Sequence, residues 1–316
     1  MKLIIQIPCF NEEQTLPTTL AELPKTIPGI DEIETLVIDD GSTDASAAVA
    51  RELGVDHIVR LTRNQGLARA FVAGLEAALR LGADIIVNTD GDNQYRGADV
   101  PILVRPILKG VADIVIGDRR VMQVAHFSLL KKYLQVLGSW TVRRFSGIQI
   151  PDATSGFRAL SRDAALRLYV ISDFSYTLET IIQAGHRKLA VTSVPIGTNG
   201  KLRESRLFSS VWGYVRLSAS TVLRVYSMYR PLQVFLVLGG MLFVPGLFAA
   251  IRFLYYYLHG RGTGHIQSLV LGAALMTLGC QTWILGVIGD LVATNRKLAE
   301  ETLYRVRKIQ FERPKE

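Results

Sequence analysis

The sequence predicts an α/β domain built on a mainly parallel sheet, followed by amphipathic juxtamembrane helices and a two-helix transmembrane hairpin. Three observations carry that expectation. Short apolar runs alternate with helical stretches between residues 3 and 116, the spacing of strand–helix units in a parallel sheet. Acidic or amide-rich clusters stand where three of those runs end. Two long runs, Leu232–Ile251 and Ile266–Gly289, carry no charge at all.

The expected strands are Leu3–Pro8, Ile33–Asp39, His57–Leu61, Asp84–Thr89 and Ala112–Ile116, with helical stretches such as Asp44–Leu53 and Gly66–Leu81 between them. The chain moves from Met1-Lys2 directly into the first apolar run, which is too short for a signal peptide, so the first domain is expected not to be exported. No G-x-G-x-x-G follows the first strand and no G-x-x-x-x-G-K-[ST] occurs, which disfavours a dinucleotide oxidoreductase or a P-loop NTPase.

Each uncharged run reaches the roughly 20 residues that a hydrocarbon core requires. The first continues past Arg252 to Leu258, and the second ends at Asp290. Glycines in both runs permit close helix packing, and Pro245 is tolerable in such a helix. The connector 259–265 is short and holds one Arg, whereas Arg206, Arg216, Arg224 and Arg230 precede the hairpin and Arg296, Lys297, Arg305, Arg307 and Lys308 follow it. The positive-inside tendency then places the catalytic domain and both termini in the cytoplasm. The expected division is a globular domain over 1–205, a juxtamembrane segment over 206–230, the hairpin over 231–293 (spans 232–258 and 266–290) and a basic tail over 294–316.

The formal net charge of +8 is unevenly spread. Residues 1–100 carry 8 Lys and Arg against 16 Asp and Glu, while residues 101–230 carry 19 against 7. Basic charge beside a membrane segment points to anionic lipid or a lipid-linked phosphate rather than to nucleic acid. The stretches 126–145 and 207–230 mix cationic and apolar residues, with Lys131, Lys132, Arg203 and Arg206 among or beside them. Such helices lie either in the headgroup layer or on the globular core. Cys9 and Cys280 are the only cysteines, too few for a disulfide framework or a zinc cluster.

The polar clusters carry the chemistry. Pro8-Cys9-Phe10-Asn11-Glu12-Glu13 ends the first strand, Asp39-Asp40-Gly41-Ser42-Thr43-Asp44 the second, and Asp90-Gly91-Asp92-Asn93-Gln94 the fourth. Any one of them reads equally well as a helix cap or a tight turn. Three at successive strand ends form one polar rim if the strand order places them side by side. Carboxylate and amide oxygens at such a rim suit Mg²⁺ or Mn²⁺ held against an anion such as a diphosphate.

These three clusters resemble the signatures of family-2 glycosyltransferases, which have the GT-A nucleotide-diphosphosugar fold. Asp152-Ala153-Thr154-Ser155-Gly156-Phe157-Arg158 is similar to a motif of the polyprenyl-phosphate branch, whose members include dolichol-phosphate mannosyltransferases. A hairpin after the catalytic domain is also known in that branch. The resemblance implies that Pro8, Phe10, Asn11, Glu12, Asp39 and Asp40 line the nucleoside pocket. It implies that Asp92 and Gln94 contact the metal and that Asp90 helps hold the nucleotide or the first ligand shell. Arg119 corresponds to a position near the acceptor phosphate, with Lys131, Lys132, Arg203 and Arg206 as further basic candidates. Arg158 supports the phosphate site or braces the Asp152 loop. After Pro195 the chain departs from the branch's Gly-x-Ser-Lys pattern and reads Lys201-Leu202-Arg203-Glu204-Ser205-Arg206.

The expected enzyme is a hexosyltransferase that moves sugar from a UDP- or GDP-linked donor to a polyprenyl or dolichyl phosphate, with inversion implied by the resemblance. A lipid phosphate is already anionic at neutral pH and needs no strong base. A sugar hydroxyl needs a carboxylate to take its proton, and Asp152 is then the candidate. The competing readings are a family-2 transferase extending a glycan or glycolipid hydroxyl, a sugar-nucleotide-forming nucleotidyltransferase, and a non-catalytic membrane scaffold. The hairpin leaves room for a homo-oligomer.

Overall fold

The computed structural model describes residues 1–120, 138–140, 142–143, 146–170, 176–200, 220, 226–227, 229–260 and 262–312. Lys131, Lys132, Arg203 and Arg206 lie outside the described residues, as does most of the basic-apolar sequence in 126–145 and 207–230. The chain divides into two compact units, Met1–Val222 with Tyr304–Glu316, and Leu223–Leu303.

The first unit is built on a seven-stranded sheet in the order β3-β2-β1-β4-β6-β5-β7. Its strands are β1 (Lys2–Cys9), β2 (Glu32–Asp39), β3 (His57–Arg60), β4 (Ile85–Asn88), β5 (Ile114–Asp118), β6 (Arg158–Ser161) and β7 (Val191–Pro195). All pairings are parallel except those of β6, which runs antiparallel between β4 and β5. The helices are α1 (Leu16–Ala21), α2 (Ser46–Glu52), α3 (Leu67–Arg80), α4 (Val100–Leu108), α5 (Arg162–Arg167) and α6 (Tyr176–His186).

β1 is central because it is apolar on both faces. Leu3, Ile4, Ile5 and Ile7 are all fully buried, and each such side chain contributes about 1.5–3 kcal/mol by leaving water. α3 presents Phe71, Leu75, Ala78 and Leu79 to the interior, spaced one helical turn apart. Val100, Leu103 and Val104 of α4 join the core cluster of Leu3, Ile5, Ile7 and Val87.

The register gathers the functional loops on one edge. Cys9 pairs with Asp39, and Gln6 with Asn88, so the loops after β1, β2 and β4 leave the sheet side by side. Arg158 begins β6 opposite Asn88 and Ile116. Because β6 is antiparallel, the 152–157 loop enters the same edge from the opposite chain direction. Strand ends of an open α/β sheet are the usual ligand-binding crevice.

The second unit contains the apolar helix α7 (Pro231–Leu258) and the apolar part of α8 (Ile266–Gln310). Their most apolar 18-residue stretches have mean hydropathy 2.4 and 1.6 and are only 11% and 17% buried, so their apolar surface faces outward, as in membrane spans. The two helices approach closely through small residues. A Cβ at Gly239 would lie 2.9 Å from the Gly279 carbonyl oxygen, and one at Gly246 2.8 Å from that of Gly272. Trp283 Nε1 donates to the Leu236 carbonyl at 3.1 Å, and Pro245 sits inside the helix.

α8 runs on as helix to Gln310, and its end belongs to the first unit. Tyr304 donates to Asp163 at 2.6 Å, and the Arg167 guanidinium lies 4.3 Å from the Tyr304 ring centre. Arg307 is buried and donates to the carbonyls of Leu166 and Leu168 at 3.3 and 2.8 Å.

Candidate active site

The loops after β1 and β2 are stitched to each other. The Asn11 amide donates to Ser42 Oγ at 3.0 Å, Thr43 N donates to Asn11 Oδ1 at 2.8 Å, and Glu12 N donates to Ser46 Oγ at 2.7 Å. Asn11 takes a left-handed backbone, φ 57°, to make this turn. Pro8 is buried within β1, Phe10 follows the strand, and Glu12 is buried and accepts from Thr15 Oγ1 at 2.8 Å.

Asp39 and Asp40 are adjacent but differ in what they can do. The two carboxylate oxygens of Asp40 accept from the amides of Gln65 and Gly66 at 2.8 and 2.9 Å, just ahead of α3. Burial raises its pKa, opposed by those amides. Asp40 therefore anchors a loop. Asp39 is fully buried, and its Oδ1 accepts from Ser42 N at 2.8 Å. Its Oδ2 lies 3.2 Å from Arg60 Nε, within ion-pair range but without hydrogen-bond geometry. Of the pair, only Asp39 has a carboxylate oxygen without a hydrogen bond, and that oxygen is sealed from solvent.

Asp92 is oriented by its own loop. Gln94 donates to it twice, from Nε2 to Oδ2 at 2.7 Å and from the backbone to Oδ1 at 3.2 Å. Asn93 between them is left-handed, φ 54°. Asp90 retains partial exposure as a residue, but its Oδ1 is sealed from solvent and has no hydrogen bond. Desolvation and repulsion from Asp92 push its carboxyl up to about 7, against the pull of Arg119 and Arg158.

This donor set fits a divalent cation. A sealed carboxylate oxygen with no partner, beside a second carboxylate, is short of positive charge. Among the described residues no group of three His, Cys, Asp or Glu forms a protein-only cage. Mg²⁺-type sites commonly use one or two carboxylates and take their remaining ligands from substrate phosphates and water.

Arg119, at the end of β5, forms a fork with Asp152, with Nε–Oδ2 2.7 Å and Nη2–Oδ1 3.0 Å. Nη2 also donates to Thr154 Oγ1 at 2.8 Å, while Nη1 has no hydrogen-bond partner among the described residues. The Asp152 carboxyl is buried, but Arg119 and Thr154 hold it below the usual carboxylate range. Asp152 is therefore an ion-pair partner rather than a poised base. Arg158 is committed to the protein interior. It is buried and donates to the Ser155 and Thr177 carbonyls and to Thr180 Oγ1. Of the two expectations for Arg158, the geometry favours the brace.

Sequence reasoning passed over a buried network behind Asp90. Gln6 Nε2 donates to Asn88 Oδ1 at 2.8 Å, and Asn88 Nδ2 donates at 2.9 Å to both the Gly156 carbonyl and Tyr176 Oη. The Gly156 amide donates to Tyr95 Oη at 2.8 Å. The available signal was a polar residue inside each of two otherwise apolar strands, Gln6 and Asn88.

A GT-A-like α/β domain whose acidic rim fits a cation, with long apolar helices after it, defines a glycosyltransferase. The chain belongs to glycosyl transferase family 2, whose pattern matches residues 4–168. It is 30% identical over 225 residues to an undecaprenyl-phosphate mannosyltransferase of Micrococcus luteus, covering 67% of this chain and 90% of that one. It is 27% identical over 204 residues to a polyprenol monophosphomannose synthase of Mycolicibacterium smegmatis, covering 61% and 76%. The fold is shared with glucosyl-3-phosphoglycerate synthase of Mycobacterium tuberculosis in complex with UDP, at TM-score 0.58 and 22% identity over 72% of this chain and 80% of that one. Other structures of that synthase hold Mn²⁺ together with UDP.

Proposed function

We propose that this enzyme transfers a hexosyl group from a nucleotide-diphosphate sugar, UDP- or GDP-linked, to a polyprenyl phosphate at a membrane. The observation that carries the reading is the join of two features in one chain. One is the set of strand-end carboxylates, Asp90 and Asp92 together with the buried Asp39. The other is the pair of outward-facing apolar helices. The names of the Micrococcus and Mycolicibacterium relatives support a lipid-phosphate acceptor.

In this reading the nucleoside lies against the Phe10–Glu12 loop, with Asp39 accepting from the base. Asp92, presented by Gln94, and Asp90 would hold Mg²⁺ or Mn²⁺. When bound, the cation neutralises charge on the departing nucleoside diphosphate. Arg119 offers Nη1 to the acceptor phosphate while Asp152 and Thr154 fix the rest of its guanidinium. The acceptor oxygen forms a bond to the anomeric carbon as the bond from that carbon to the diphosphate breaks, with inversion. No proton needs to move. The two spans anchor the chain, and the arginines and lysines flanking them favour a cytoplasmic catalytic domain.

The decisive experiment incubates the purified protein with a panel of UDP- and GDP-sugars, Mn²⁺ and extracted prenyl phosphate, and reads the lipid by mass spectrometry. A hexosyl-phosphoprenol product from one donor is expected. Absence of product from every donor overturns the proposal. The hydroxyl-acceptor reading requires Asp152 as base, which its ion pair with Arg119 disfavours. Asp152→Asn with a pH profile separates the two. An acidic limb that disappears in the variant would favour the hydroxyl acceptor.

A further inference from the structure

Glu22, at the C-terminal end of α1, belongs to none of the motifs above, yet three residues from two distant segments converge on its carboxylate. It accepts from Asn93 Nδ2 at 3.3 Å, from the Gly97 amide at 3.3 Å, and from Asn199 Nδ2 at 3.1 and 2.9 Å. The same Asn199 amide group lies 3.3 Å from Asn93 Oδ1, and Asn199 N donates to the Gln94 carbonyl at 3.0 Å. Tyr95 and Thr198 form an antiparallel bridge, and the Gly197 amide donates to Asp99 at 2.7 Å. The segment after β7 is thus zipped onto the segment that follows Asp92. The approach is tight, since a Cβ at Gly97 would lie 2.8 Å from the Glu22 carbonyl oxygen.

The knot grips the residue that sets the geometry of the acidic loop. Asn93 separates Asp92 from Gln94 and is held left-handed, a conformation that non-glycine residues adopt uncommonly. Glu22 and Asn199 hold it, one taking the Asn93 amide nitrogen and the other reaching its oxygen. Relaxing Asn93 would rotate Asp92 and Gln94 relative to each other and undo the 2.7 Å contact that aims Asp92.

We infer that Glu22 and Asn199 are positioning residues for divalent-cation binding, acting through Asn93 on Asp92 and Gln94. The inference rests on the reading of that loop as the cation site. It deepens that reading by making affinity depend on two residues that touch neither cation nor donor. The interaction is polar in a defined sense, because among the described residues the groups hydrogen-bonded to the Glu22 carboxylate are all donors. Asn199→Asp therefore sets a second carboxylate against it, whereas Glu22→Gln combined with Asn199→Asp restores one amide facing one carboxylate.

The test is Mn²⁺ titration of the full-length, detergent-solubilised protein with UDP, following the free Mn²⁺ electron paramagnetic resonance signal, with melting temperature measured in parallel. Asn199→Asp is expected to weaken Mn²⁺ binding about tenfold, Asn199→Ala somewhat less, and the double variant to recover most of the loss. If Asn199→Asp does not fold, Asn199→Ala decides. Folded variants that bind Mn²⁺ as wild type does overturn the inference and leave the cation site standing. Wild-type protein that binds no Mn²⁺ with UDP present overturns both.

Discussion

Gly156 and Asp90 meet at the sheet edge with no room between them. A Cβ on Gly156 would lie 3.2 Å from both oxygens of the Asp90 carboxylate and 2.9 Å from Tyr176 Oη. The glycine of the 152–158 motif is therefore a spacing device that lets the antiparallel strand β6 pass directly behind the acidic loop. Gly156→Ala should displace Asp90 or Tyr176. Overpacking of this kind costs about 1–3 kcal/mol. The expected outcome is at least a tenfold loss of transfer rate with the protein still folded, measured by lipid-product formation alongside a thermal melt.

Asp92 is the carboxylate most fully prepared for a cation, because Gln94 fixes both of its oxygens in direction. Asp92→Ala should abolish metal-dependent transfer. Gln94→Ala should leave partial activity that saturates at higher Mn²⁺, since it removes the aim but not the charge. Transfer by Asp92→Ala at the wild-type rate, measured across a Mn²⁺ titration, would remove Asp92 from the site.

Asp90 gives the pH dependence its sign. Its carboxyl is pushed from 3.8 up to about 7, so the folded protein without cation holds that proton more tightly than the unfolded chain does. The cation-free fold is therefore stabilised by this group at low pH relative to high pH. The advantage is lost as pH rises from about 4 to about 7, by at most about 4 kcal/mol given the residue's partial exposure. Asp90→Asn should raise the melting temperature of cation-free protein at about pH 8 and change it little at about pH 4. An equal shift at both pH values, read by differential scanning fluorimetry, would contradict the assignment.

Much of this arrangement was legible in the chain. The five expected strands are all present, because each was an apolar run bounded by polar turns. β6 and β7 were not foreseen. β6 is four residues of mixed character, Arg158–Ser161, and earns its place by pairing on both sides rather than by its own pattern. β7 reads Val-Thr-Ser-Val-Pro at an edge of the sheet, where one neighbouring strand suffices. For the candidate site, the sequence offered positions but no orientations. Asp39 and Asp40 are neighbours, yet one has a carboxylate oxygen without a hydrogen bond and the other is consumed by two amides, a difference set by the turn ahead of α3. The carbonyl partners of Arg158 on the 155 loop and α6 have no signature in the sequence around it.

The end of α8 makes a separate demand on the fold. Arg307 places a buried guanidinium on the carbonyls of Leu166 and Leu168, which lie at the end of α5 and are left without helical partners there. Burial lowers its pKa, yet an arginine remains charged, so those carbonyls are what compensate its desolvation. Hydrogen bonds from a charged group contribute about 1.5–3 kcal/mol, and Arg307→Ala loses them while leaving two buried carbonyls under-satisfied. The variant should be destabilised by about 2–3 kcal/mol, and Arg307→Lys by less, because an ammonium can still reach one carbonyl. Tyr304→Phe removes only the hydroxyl bond to Asp163 and keeps the ring under Arg167, so it should cost about 1 kcal/mol. Denaturant melts in which Arg307→Ala is not the most destabilised of the three variants would show that this helix end is not held as described.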